Sequence, residues 1–266
     1  MTERALSPFV LAVVQMRVDP GAREANLARA IARIGSAATD GADVVLLPEA
    51  LPLGWMDAST SALADAIPEG PTCCAFRAAA RTAKVFVCTG LVERAGDHVF
   101  NAAVLIDPHG EVVLHHRKLN ELDIAGGLYT RGDRLGVALT PWGRIGLMIC
   151  ADAFADGEVV SRTLALMGAD VILSPCAWAV PPDHANARDP YGQLWRSSYG
   201  AVARDCGVWI AGASNVGRIG YGPWAGYRCI GSSLVVGPQG MPVLEAPYGD
   251  AADVVLQVRI TVGPAV

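Results

Sequence analysis

The chain has 266 residues, 52% hydrophobic and 18% charged, enough apolar material for one large core. Its formal net charge of −5 comes without a block of basic residues, which argues against nucleic acid and anionic membrane as partners. No apolar run approaches the ~18 residues of a membrane helix. The opening MTERALSPFVLAVVQ carries no secretory pattern. Seven cysteines stand at positions without metal-ligand spacing, so a reducing cytoplasmic setting without metal or cofactor is expected.

Residues 9–18 predict a strand, and 21–38 a helix with Leu27, Ile31 and Ile34 at helical spacing. A second apolar strand, 44–47, is closed by Pro48 and Glu49. A helix over 72–83 leads into a strand over 85–91. Strands 99–106 and 111–116 flank Asp107-Pro108-His109-Gly110, a turn signal that makes them a hairpin. The stretch 119–133 reads as a Gly-rich loop. Strands 135–139 and 144–149 form a second hairpin across Thr140-Pro141-Trp142-Gly143. A helix over 157–167 precedes a strand over 171–174. A Pro-rich loop through Pro182 and a helix over 191–206 follow, with strands over 208–213, 230–236 and 254–258 at the end. Strands alternating with helices but interleaved with hairpins predict mixed sheets in a layered α/β domain spanning residues 1–266.

Three polar residues each stand just after an apolar strand. Cys150 follows RIGLMI on a turn that leads into small and polar residues, where a thiol can sit beside the first free backbone N–H groups. Glu49 closes VVLLPE, with Pro48 ending the ladder. Lys118 follows VVLHHR. It is one of only two lysines, with Lys84, against 19 arginines. Ligands of parallel sheets bind outside the strands' carboxyl ends, so thiol, carboxylate and ammonium could meet in one cleft. Taken singly, each has a plainer reading: an inert core cysteine, a solvated acid, a surface charge.

With these motifs the chain resembles the nitrilase superfamily, the carbon–nitrogen hydrolases with a Glu-Lys-Cys triad. AVVQM with Asn26 matches the family's opening strand and helix, GADVVLLPE its glutamate, HHRKL its lysine and RIGLMICAD its cysteine. GADVILSPCAW at 168–178, Asn215 and GSSLVVGPQG at 231–240 continue the match. The resemblance implies a four-layer α-β-β-α sandwich with two mixed β-sheets. It also implies a cytoplasmic amidase without cofactor or metal, acting on a small-molecule amide. Cys150 would attack the carbonyl and Glu49 would be the general base. Lys118 and the Ala151 N–H would face the oxyanion. A homodimer or higher assembly is implied too, through the helices at 157–167 and 191–206, whose Val159, Val160, Leu164, Leu166, Leu194, Trp195 and Val202 could serve that interface or simply the domain core.

The chain departs from the family pattern in ways that bear on substrate. The family's second glutamate falls, by spacing, on Ala125 or Gly127, and the only acids in that interval are Glu121 and Asp123. Glu121 could take the role or be a loop charge. Asp156-Gly157-Glu158 stands where Pro-Glu is frequent. Ala151-Asp152 replaces the Trp-Glu of true nitrilases, and Ala153-Phe154 the arginines that hold N-carbamoyl substrates, so an amide is favoured over either. Trp178, His184, Arg188, Tyr191, Trp195 and Tyr199 lie where family members line the pocket. The alternatives are a Cys-His hydrolase using His115, His116 or His184, and a catalytically silent oligomeric scaffold or binding protein. A G-x-S-x-G elbow, a phosphate loop and a metal motif are missing from the sequence.

Overall fold

The computed structural model describes residues 8–263. β1 (Phe9–Gln15) leads through α1 (Arg23–Thr39) to β2 (Val44–Leu46). The short α2 (Thr60–Leu63) and α3 (Pro71–Ala83) precede β3 (Phe86–Ala95), β4 (His98–Ile106) and β5 (Val112–Arg117). The second half runs through β6 (Val137–Thr140), β7 (Gly143–Leu147), α4 (Val159–Leu166), β8 (Val171–Cys176) and β9 (Ala179–Val180). It ends with α5 (Gln193–Cys206), β10 (Trp209–Ser214), β11 (Val216–Arg218), β12 (Arg228–Ile230), β13 (Leu234–Val236), β14 (Pro242–Glu245) and β15 (Val254–Ile260).

Two six-stranded mixed sheets result, ordered β15-β1-β2-β3-β4-β5 and β14-β13-β10-β8-β7-β6. Each has a parallel centre, β1-β2-β3 in one and β7-β8-β10 in the other, with antiparallel strands at its flanks. Period-two alternation sorts the side chains into layers. In β1, Leu11 and Val13 face Leu147 and Leu173 of the other sheet in a shared apolar cluster, while Ala12 and Val14 pack with Ile34 of α1 and Phe76 of α3. On the far side Leu164 of α4 and Val202 of α5 join the inter-sheet cluster. Helices thus cover the outside of both sheets, giving the four-layer α-β-β-α sandwich. Buried Gln15 ties its start to its end: Oε1 accepts the Ser233 N–H at 3.0 Å, and Nε2 donates to the Ala252 carbonyl at 2.7 Å. Asn26 does the same locally, donating from Nδ2 to the carbonyl of Asp19 at 2.7 Å and of Pro52 at 3.2 Å.

Several expectations need correction. The strand predicted over 230–236 is two strands in different sheets, because Gly231 and Ser232 take left-handed φ of 65° and 58° and turn the chain. Strands β9, β11 and β14 and helix α2 were not predicted, each being only two to four residues long. Of the candidate assembly contacts, Val160, Leu164, Trp195 and Val202 are spent on the chain's own core, while Val159, Leu166 and Leu194 are exposed. No helix among the described residues is long and apolar enough to cross a membrane.

Candidate active site

Glu49 sits where the chain leaves β2. Pro48 precedes it and Ala50 takes a left-handed φ of 44°, so the backbone folds back over β3. That fold needs Gly90: its N–H donates to the Pro48 carbonyl at 3.0 Å, and a Cβ there would lie 2.5 Å from Glu49 Cα. The Glu49 N–H reaches the Cys176 carbonyl at 3.2 Å, tying this turn to β8 of the facing sheet.

Lys118 follows β5 and is 1% exposed. Its N–H bonds the Asn101 carbonyl at 2.9 Å, and its carbonyl takes the Gly132 N–H at 2.8 Å. Its Nζ donates to Glu49 Oε1 at 2.7 Å and lies 3.6 Å from Glu121 Oε2. Asn101 Nδ2 donates to the same Glu49 oxygen at 2.7 Å, so one carboxylate oxygen takes two donors. Burial alone would strip the proton from such a lysine. The charges of Glu121 and Glu49 outweigh it and hold the ammonium well above its ordinary range.

Cys150 follows β7 with a left-handed φ of 45° and opens a 3₁₀ turn, Cys150–Ala153. Its N–H is taken by Ser174 Oγ at 3.1 Å, and the Asp152 N–H by the Ile149 carbonyl at 3.0 Å. Ala151 stands between them on the cavity wall. Asp152 fastens this turn to the lysine segment. Its carboxylate accepts the N–H groups of Ile149 (3.0 Å), Leu119 (3.1 Å) and Asn120 (2.8 Å), and faces His116 Nε2 at 2.9 Å. A hydrogen bond with Cys176, burial and the Glu49 charge together push the Cys150 thiol well up, against the pull of Lys118. A thiol so placed needs a neighbouring base before it can attack a carbonyl.

Glu121, left open by the sequence, is buried beside Lys118, and burial lifts its carboxyl to about 7 with Glu49 and Asp152 adding to the rise. Its two oxygens are buried without a hydrogen-bond partner in the protein. Asp123 is exposed at the rim of the cavity. The histidines separate by alternation along β5. His115 points to Glu93, 2.9 Å from its Oε2 beside Arg117, whereas His116 is locked to Asp152. Neither is placed as a partner for the thiol.

A cavity of about 550 Å³ opens on Cys150 and Ala151. Trp178, His184 and Tyr191 line it, as the sequence led us to expect, and so does Trp195, whose helical spacing with Tyr199 favours a packing role. Arg188 is an exposed residue outside the lining, and Tyr199 lies buried behind it, its ring 6.4 Å from Trp178 and its hydroxyl 3.7 Å from Cys176 Sγ. Sequence reasoning missed Trp224 and Phe154 as walls, and Asn101 and Gly90 as supports. Asn101 and Gly90 sit inside apolar strands, where no pattern marks them.

A thiol, a paired carboxylate and ammonium, and an apolar cavity meet at one end of a four-layer sandwich, the equipment of a cysteine-type hydrolase. The comparisons with known proteins make that class specific. Residues 10–263 match the family model described as carbon-nitrogen hydrolase. A nitrilase from Pyrococcus abyssi is 30% identical over 234 residues, covering 86% of this chain and 81% of its own. An (R)-stereoselective amidase from Pseudomonas sp is 29% identical, covering 91% and 82%. The omega-amidase NIT2 of Mus musculus is 26% identical over 91% of this chain and 85% of its own. In fold, an amidase from Nesterenkonia sp. AN1 in complex with acrylamide superposes with a TM-score of 0.80 at 23% identity, covering 95% of this chain and 90% of that one. The chain belongs to the carbon–nitrogen hydrolase family.

Proposed function

We propose that this protein hydrolyses amides through a thioester on Cys150, with Glu49 as base and Lys118 at the oxyanion. The observation that carries this reading is the buried Lys118 Nζ, 2.7 Å from Glu49 Oε1, on a segment that Asp152 ties to the Cys150 turn. The amidase and omega-amidase names of its relatives support it.

Glu49 takes the thiol proton as Cys150 Sγ bonds to the carbonyl carbon. The oxyanion faces Lys118 Nζ and the Ala151 N–H, donors already fixed by the fold. The C–N bond then breaks, Glu49 returns the proton to the leaving amine, and a thioester remains. Water, deprotonated by Glu49, attacks that carbonyl and releases the acid and the thiol. Glu121, protonated in part near neutrality, offers its unpaired oxygens to the substrate amide.

Ammonia release across simple amides tests the assignment, with Cys150→Ala as blank. Turnover by the wild type with none above blank in Cys150→Ala is expected. No release from any amide would contradict it and favour the silent scaffold. His184 lines the cavity with an unpartnered Nε2, so His184→Ala decides the Cys-His alternative: it retains turnover if Glu49 is the base.

We also propose a homodimer formed through α4 and α5, on which Val159, Leu166 and Leu194 are exposed. A reducing cytoplasmic setting fits the seven cysteines, all free.

A further inference from the structure

The cavity beside Cys150 is a rigid aromatic box. Trp178 and Trp195 stack at 4.5 Å with 23° between their planes, and Phe154 meets Trp195 edge-on at 5.3 Å. Trp195 Nε1 donates to the Tyr191 hydroxyl at 2.8 Å, fixing two walls to each other. Trp224 also lines the cavity, stacked on Tyr227 at 4.9 Å. A volume of about 550 Å³ is far more than a two-carbon acyl group fills, and it suits a ring held on its faces by indoles.

The carboxylates at the mouth of the box face no lysine or arginine on its walls. Among the described residues no arginine or lysine lines it, while Asp123 and Asp189 do, both exposed at its rim. Two neighbouring cations are already engaged. Lys118 lies between Glu49 and Glu121, and Arg196 is paired with Glu245 at 3.1 Å. A substrate carboxylate entering this space would leave water and meet two aspartates, with no lysine or arginine on the walls to receive it.

From this geometry we propose that the cavity selects amides whose acyl group carries an aromatic ring or comparably bulky apolar group, and rejects amides with a distal carboxylate. The proposal rests on the amidase reading and names its substrate class. Burying a phenyl group against these walls is worth well over tenfold in kcat/KM. The mouth aspartates add a further penalty for an anion, one that weakens in high salt.

The test compares kcat/KM for 2-phenylacetamide, acetamide and succinamate. We expect 2-phenylacetamide to exceed acetamide at least tenfold and succinamate at least a hundredfold. Trp224→Ala, folded by circular dichroism, should cut the phenylacetamide-to-acetamide ratio at least fivefold. Asp189→Lys, at an exposed position, should raise the succinamate-to-acetamide ratio at least fivefold. Succinamate turned over as well as 2-phenylacetamide would overturn the proposal while leaving the amidase reading intact. Unmoved ratios in both variants would also overturn it. No turnover of any of the three would sink both readings together.

Discussion

Lys118 keeps its charge in a place where an ammonium is costly because two carboxylates share the space. Its compact head fits between Glu49 and Glu121 at 2.7 and 3.6 Å, where a planar guanidinium would have to displace one of them. Lys118→Arg should therefore lose at least about 10²-fold in kcat while remaining folded, as steady-state ammonia release would show. Retained turnover would remove the ammonium from the oxyanion site. Glu121 makes a separate, pH-dependent claim. Its carboxyl is raised to about 7 in the fold, so the proton is bound more tightly there than in the unfolded chain. Its contribution to stability is full below the unfolded value near 4.5 and is lost as pH rises through about 7. The Tm of Glu121→Gln minus that of wild type should then be more positive at pH 8.5 than at pH 5.5, by scanning calorimetry. A difference independent of pH would show an unperturbed carboxyl. At this scale the sequence was readable where a polar residue ends an apolar run, as for Glu49, Lys118 and Cys150. It was silent on Asn101, whose amide shares Glu49 Oε1 with Lys118 from inside a strand that looks uniformly buried.

At the scale of elements, the site depends on close approaches between chain segments that belong to different strands. β3 passes under the Glu49 turn only because Gly90 has no side chain. Gly90→Ala should push the turn outward and disturb Glu49 together with the Leu51 N–H, which bonds the Gly90 carbonyl at 3.2 Å. A loss of roughly 1–3 kcal/mol in stability is expected from such overpacking, with kcat falling more than KM changes. Denaturant titration and steady-state kinetics check the two halves, and an unaffected kcat would mean that the turn relaxes without moving the carboxylate. The hairpins at 107–110 and 140–143 were legible because Pro and Gly fall at turn positions between apolar runs. The break between β12 and β13 was not. Ile230-Gly231-Ser232-Ser233-Leu234 reads as one small-residue strand, and only the left-handed backbone at Gly231 and Ser232 sends its halves to different sheets.

Across the whole molecule, the two sheets present the carboxyl ends of their parallel centres to the same region. Glu49 follows β2 in one and Cys150 follows β7 in the other, with the Glu49 N–H bonded to the end of β8 across the interface. The apolar runs that form the central strands could be seen in the letters, but which strands pair across sheets could not, since these strands are buried on both faces. The proposed assembly uses the outer helices. Leu166 is 87% exposed on α4 and Val159 47% exposed at its start. If α4 and α5 form the dimer, Leu166→Glu should convert a dimer to a monomer in size-exclusion chromatography with light scattering. A wild-type monomer at micromolar concentration would contradict the assembly.

The account as a whole stands on acyl transfer to one sulfur. Rapid acid quench during turnover of an amide, followed by peptide mass mapping, measures this directly. The expected result is an acyl mass increment on the peptide holding Cys150, and no ammonia release by Cys150→Ala. An increment on any other residue, or turnover that survives the loss of this thiol, would contradict it.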